Sequence, residues 1–151
     1  KMVIAGDGPA LAGIMAANPD FIFAGALPRP ELAVLYASCD ICLFPSATET
    51  FGNVVTEAMA SGLAVVGFDY AAARQHIRHG DNGVVAPMHD HEAFIAAAVQ
   101  LAGDLPRARQ IGLAARQTAT GISWDSIVDQ FQSVLTHVRD GKSPEPSPSA
   151  T

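Results

Sequence analysis

The sequence predicts an α/β fold: a parallel sheet with helices on both faces, followed by C-terminal helices. Three observations predict it. Apolar runs of strand length alternate with helical segments, the pattern left by a parallel sheet with crossover helices. The strand runs are continuously apolar, as strands buried on both faces are. The segments that follow them are Gly6-Asp7-Gly8-Pro9, Gly25-Ala26-Leu27-Pro28, Pro45–Gly52 and Asp69-Tyr70. All are rich in glycine, proline or polar residues, as suits the strand-end edge where such sheets bind ligands.

The elements follow in order. Met2–Ala5 reads as a strand and the Ala-rich Gly8–Asn18 as a helix. Phe21–Ala24 is a second strand. Glu31–Ser38 is a helix, with Pro30 at its first position, where the missing N–H does no harm. Ile41–Phe44 is a third strand, and Val54–Ala60 a helix closed by Ser61-Gly62. Ala64–Phe68 is a fourth strand, and Ala71–Arg78 a helix ending at Gly80. Gly80–Gly83, "GDNG", is a turn before the short strand Val84-Val85. Three helices then follow without further strands: Glu92–Ala102, Arg107–Thr118 and Trp124–Arg139. Residues 1–141 are read as one ordered domain, and 142–151, "KSPEPSPSAT", as a disordered Pro/Ser-rich tail.

The 151 residues are 49% hydrophobic and 16% charged, enough for one domain with a buried core. A net charge of −6 leaves no electrostatic footprint for nucleic acid. No apolar run reaches membrane-spanning length. The chain opens directly on a strand, with neither an initiator Met nor a signal-peptide pattern, so it is expected to be a piece of a longer protein. Its two cysteines, Cys39 and Cys42, cannot form a disulfide framework, which points to a reducing compartment. Cys42 lies in an apolar strand, unlike a redox thiol at a helix start, and is read as structural.

"GDGPALAG" invites comparison with a dinucleotide fingerprint. Its glycines, Gly6, Gly8 and Gly13, miss the G-x-G-x-x-G spacing, and Pro9 removes an amide from the segment that would cradle a pyrophosphate. A nicotinamide-dependent oxidoreductase fragment is therefore the weakest of the readings retained. His76 and His79 have helical metal-ligand spacing but no clear third ligand, and read as surface residues. His89 and His91 fit a polar helix start. Trp124 and Phe131, seven apart, read as a helical core stripe. Asp69 reads as a cap for the helix at Ala71.

The stretch from Thr48 to Gly62, "TETFGNVVTEAMASG", is more specific. With Asn53 as helix cap, Glu57 falls one turn later on the same face. The first amides of that helix lack intrahelical partners and, with the helix dipole, suit a diphosphate. Gly52 permits close approach to the backbone. Carboxylates repel phosphates but accept hydrogen bonds from vicinal hydroxyls. An acid on each side of an anion-binding helix start therefore matches a sugar nucleotide, whose diphosphate is flanked by a ribose diol and a hexose diol.

Glu49-x7-Glu57, set in "PSATETFGNVVTEAMASGLAVV", resembles the signature of the retaining GT-B glycosyltransferases of family 4 type (glycosyl transferases group 1). "GDGP", "FIFAG", "ELAVLYASCDICLFPS" and "GDNGVV" stand in that family's usual order. The resemblance runs from about Met2 to Arg139 and implies the Rossmann-like C-terminal, donor-binding half of such an enzyme. It implies that Glu57 holds the ribose hydroxyls. Glu49, near the 3- and 4-hydroxyls of the hexose, becomes the catalytic candidate. Thr50, Phe51, Gly52, Asn53 and Val54 would meet sugar and diphosphate, and Ala26 and Leu27 would lie near the base. The sequence departs from the family pattern at Gln75, where Glu is frequent, at Ala71 and Ala72, where two glycines are common, and at Ala64, where Pro is frequent.

The expected function is transfer of a hexose from a UDP- or GDP-sugar, with retention of configuration. A non-catalytic nucleotide-sugar-binding module is the alternative. No cofactor and no metal are expected. The expected partners are the nucleotide-sugar donor and, through an N-terminal domain, an acceptor saccharide or glycolipid. The expected location is the cytoplasm, with peripheral association at the inner face of the membrane as a variant of it.

Overall fold

Parallel pairing dominates the backbone. The computed structural model describes residues 1–49 and 51–141, and every ladder within them is parallel. Thr50 and the expected tail, 142–151, lie outside the described residues. The chain divides into two units, the first Lys1–Ser38 and the second from Cys39 onward.

In the first unit, β1 (Val3–Ala5) pairs with β2 (Ile22–Gly25), with an irregularity between Ile4 and Ala5. Helices α1 (Leu11–Ala17) and α2 (Arg29–Ala37) follow the two strands. Helix α1 starts three residues later than expected, because the Leu11 amide closes a turn onto Gly8 O at 3.1 Å.

The second unit holds β3 (Ile41–Phe44), β4 (Ala64–Phe68) and β5 (Val84–Ala86) in the order β3-β4-β5. Strands β4 and β5 are each reached through a helix, α3 (Asn53–Ala60) and then α4 (Ala71–His76). The middle strand β4 is buried throughout, which explains its unbroken apolar sequence. Its alternate residues Ala64, Val66 and Phe68 pack with Phe94 and Leu101 of α5 (His91–Ala102) and with Ala108 and Ile111 of α6 (Leu105–Thr120). On the opposite face Gly67 lies against Ala73 of α4, where an added Cβ would meet the Ala73 methyl at 3.2 Å. Helices thus cover both faces of this sheet.

Helix α4 stops two residues before the expected Arg78, and Asn82 is the reason. Its Oδ1 accepts from the Arg78 amide at 2.6 Å, and its Nδ2 donates to His76 O at 3.0 Å. These bonds take the groups that another helical turn would use. Asp90, Asp104 and Ser123 cap α5, α6 and α7 (Trp124–Arg139) through side-chain oxygens. Helix α7 has the expected bounds, but it buries no residue. Trp124 is 78% and Phe131 64% exposed, so the stripe expected to be core lies on the surface.

Candidate functional site

Three parallel strands end on one edge, and β3 and β4 each lead there into a helix. After β3 the chain runs from Pro45 to Gly52, with the Ser46 hydroxyl donating to Thr48 O at 2.6 Å. Gly52 then turns the chain with φ 68° and ψ 29°, and α3 begins at Asn53. Gly52, not Asn53, is therefore the cap residue, and no side chain caps this helix. Asn53 occupies the first helical position instead. The correction has a physical basis: the sharp turn needs positive φ, which glycine adopts without strain.

Gly52 is required on a second count. A Cβ there would stand 2.2 Å from the Ala72 Cβ and 2.7 Å from Glu49 Oε1. The Glu49 carboxylate is thus folded back against the start of α3. Its Oε1 is shielded from solvent and has no hydrogen-bond partner among the described residues. An unpaired buried acceptor costs on the order of 1–3 kcal/mol, more when charged. Such an orphan calls for an explanation.

Helix α3 is fixed by its buried stripe Val55, Ala58 and Met59, each 0% exposed. That stripe turns Glu57 outward, to the exposed face shared with Asn53. The far end of the helix is equally constrained. Gly62 has φ 84°, and its amide donates to Met59 O at 2.9 Å, closing the last turn. Early amides such as those of Asn53 and Val54 have no intrahelical acceptor, and Val55 N bonds to Gly52 O at 2.9 Å. Phe51, 82% exposed, stands beside them. The edge therefore brings together Glu49, Phe51, Gly52, Asn53 and Val54, with Glu57 one turn along α3.

Ala26 and Leu27 lie between β2 and α2 in the first unit, Ala26 exposed and Leu27 half-buried. Gly25, with φ 65°, turns the chain into this loop, and the Gly6 amide donates to Gly25 O at 2.7 Å. The carboxyl ends of β1 and β2 are thereby tied together.

Asp69 does not cap α4. Its carboxylate accepts from Arg74 Nε at 3.0 Å, and Arg74 Nη2 also donates to Asp69 O at 2.7 Å. Between them Ala71 holds φ 45°, a left-handed conformation unusual for a residue with a Cβ. The sequence signal for this feature is the pair Ala71-Ala72, which departs from two family glycines. Asn82, fully buried, carries a structural role that its place in a "GDNG" turn does not reveal. His79 turns its Nδ1 to the Val85 backbone, 3.0 Å from O, and His91 meets Phe68 edge-on. A cavity of about 460 Å³ opens at the amino end of β5, between α5 and α6, away from this edge. Two of its polar residues are already engaged, Arg107 with Gly80 O and Asp104 in capping α6.

Fold and edge together define an α/β protein with a parallel sheet whose carboxyl edge carries a helix start flanked by two acids. Residues 1–104 match the family described as Glycosyl transferases group 1, and the chain belongs to that family. Its fold is that of the GT-B glycosyltransferases, as the resemblance implies. The chain is 33% identical over 140 residues to a GDP-mannose-dependent alpha-mannosyltransferase of Corynebacterium glutamicum, covering 93% of this chain and 33% of that one. It is 37% identical over 132 residues to the protein so described in Mycobacterium tuberculosis, covering 87% and 34%. Among solved structures, sucrose-phosphate synthase from Thermosynechococcus elongatus superposes with a TM-score of 0.74 at 23% identity, over 93% of this chain and 39% of that one. The chain spans about a third of the length of the curated relatives it matches.

Proposed function

We propose that this chain is the donor-binding part of a retaining hexosyltransferase that uses a nucleotide sugar. The observation that carries the reading is the start of α3, where early amides without intrahelical acceptors stand beside the Glu49 carboxylate. In this arrangement the amides of Phe51, Gly52, Asn53 and Val54 receive the diphosphate, Glu49 accepts from hexose hydroxyls, and Glu57 accepts from the ribose. Thr50 belongs to the same stretch, and Ala26 and Leu27 are assigned to the base. Fixed amides and a helix dipole stabilise charge as it develops on the leaving diphosphate, without reorganising during the reaction. The transfer is proposed to need no metal.

The names of the relatives in Corynebacterium glutamicum and Mycobacterium tuberculosis make GDP-mannose the first donor to try. The acceptor, a saccharide or glycolipid, would be bound by a part of the protein outside this chain. The proposed setting is the cytoplasm or the inner face of a membrane. Among the described residues, no helix is long and apolar enough to cross one.

The test is a thermal-shift panel of GDP, UDP, ADP and NAD, followed by calorimetry. A ligand that binds only the native state raises its stability, by about 2.7 kcal/mol at a hundredfold excess over Kd. The reading expects GDP or UDP to raise Tm and NAD to leave it unchanged. A response to NAD alone would overturn it.

A further inference from the structure

Helix α7 is amphipathic yet buries no residue. Its apolar stripe is Trp124, Ile127, Val128, Phe131, Val134, Leu135 and Val138, each at least 42% exposed. A helix of this length draws little stability from propensity alone and relies on packing of its apolar face. Monomers rarely leave so continuous an apolar patch to water. The order of the stripe narrows what can cover it. Its intervals run three, one, three, three, one, three, so it reads the same in both directions about Phe131. Turned end over end about Phe131, a second α7 sets Trp124 against Val138, Ile127 against Leu135, Val128 against Val134 and Phe131 against itself. Each level then holds a bulky residue with a smaller one, or two of like size, as interdigitating layers need.

The charges share this symmetry. Asp125 and Arg139 are 14 positions apart, close to four turns, and so border the stripe on the same side. In an antiparallel pair that side of one helix faces the same side of the other. Asp125 then lies about 3 Å along the axis from Arg139 of the second copy, at a rise of about 1.5 Å per residue. A parallel pair would instead bring Asp125 level with Asp125. Arg139 donates Nε to Asp140 at 3.0 Å, an exposed pair that costs little to exchange. A lipid surface fits less well. The polar side of α7 sets Asp125 and Asp129 against Arg139, and the chain has a net charge of −6, whereas helices that lie on membranes are rich in Lys and Arg there.

We propose that α7 is a self-association surface, through which two copies of this chain pair antiparallel about a two-fold axis at Phe131. Such an axis makes the interface isologous and closed, so association stops at two. The two tryptophans and two phenylalanines, burying up to roughly 150–250 Å² each, supply a large part of the roughly 1,200 Å² at which specific interfaces begin. The inference is independent of the donor-site reading.

The experiment is sedimentation velocity on the full chain from about 1 μM to about 1 mM, the span of Kd open to a small interface. The mass should rise from one chain to two across that range and no further. Phe131→Glu sets two like charges at the axis and should stay a single chain throughout. Phe131 is 64% exposed, so this variant should keep the circular dichroism of the unmodified chain. Asp125→Arg and Arg139→Asp should each weaken association about threefold or more at low salt. The double variant restores opposite charges across the pair and should associate more tightly than either single one. If the two residues served only the dipole of their own helix, the double variant would be the weakest, with the wrong sign at both ends. That result would overturn the antiparallel pairing. A chain that stays single up to about 1 mM, or a pair that Phe131→Glu leaves intact, would overturn the self-association. Flotation of single chains with anionic phospholipid vesicles, lost in Phe131→Glu, would assign the face to a lipid surface and overturn it too.

Discussion

Glu49 and Glu57 differ in surroundings, and the difference predicts how their variants fail. Glu49 is folded against Gly52 with a buried oxygen, while Glu57 stands exposed on α3. Glu49→Ala should leave binding of GDP or UDP nearly intact and weaken the matching sugar nucleotide. Glu57→Gln keeps the shape of the side chain but loses its charge-assisted bonds, each worth on the order of 1.5–3 kcal/mol. Both ligands carry ribose, so both should weaken by about tenfold or more. Calorimetry of two variants against two ligands checks this, and equal losses across all four combinations would show that the acids act as one structural unit. Thermal stability separates a local from a global effect. Because Oε1 is unpartnered in the free chain, Glu49→Ala should not lower Tm. The two-acid pattern was legible from residue types and spacing alone. The orphaned oxygen was not, because burial of a single atom depends on how the folded chain packs around it.

At the scale of elements, apolar run length set β3, β4 and α7 within their observed bounds, because long periodic or unbroken runs leave little ambiguity. Helix ends were less legible, since caps depend on φ and on side chains from elsewhere. Asn53 reads as a cap by residue preference, yet the turn needed the positive φ of Gly52. The end of α4 depends on Asn82, which also donates to Thr118 Oγ1 at 3.0 Å and so ties the loop to α6. Asn82→Ala leaves the Arg78 amide and the His76 carbonyl without this partner. It should destabilise the chain by about 2–4 kcal/mol, read as a lower urea midpoint at unchanged slope. The stripe on α7 has the helical period of a core face but is exposed, because periodicity reports amphipathicity and not what covers the face. Strand β3 adds a pH effect. Burial, then the neighbouring Cys39, push the Cys42 thiol up from 9.0 to about 11. The unfolded chain therefore releases this proton at lower pH than the folded chain does. The resulting contribution to stability is full below pH 9 and is lost as pH rises towards 11. Urea midpoints measured across that window should fall more steeply for the unmodified chain than for Cys42→Ala.

For the whole molecule, the decisive fact is that the chain spans about a third of its curated relatives. On the proposed reading, the carboxyl edge of the β3-β4-β5 sheet offers groups for a donor: amides for phosphate and acids for hydroxyls. Moving a hexose also requires an acceptor hydroxyl held within bonding distance of the anomeric carbon. Much of the rate of such a step comes from that orientation, where effective molarities reach roughly 10⁵–10⁸ M. A site that binds only one reactant forgoes this advantage, however well it holds the donor. The purified chain should therefore bind the nucleotide sugar selected by the thermal-shift panel without transferring its hexose. Incubation with that donor and a panel of saccharide and glycolipid acceptors should give no glycosylated product, and diphosphate release no faster than donor hydrolysis in buffer. Measurable transfer would show that the chain holds an acceptor site of its own and would overturn the division of labour proposed here. A longer polypeptide that joins this chain to a part matching the rest of its curated relatives' length is proposed to turn over. In it, Glu49→Ala should lower kcat by about tenfold or more, since 1.4 kcal/mol of lost transition-state positioning already has that effect. Such a fall in kcat, with binding of the bare diphosphate unchanged, would tie the carboxylate at the start of α3 to the hexose during transfer as well as in the bound state.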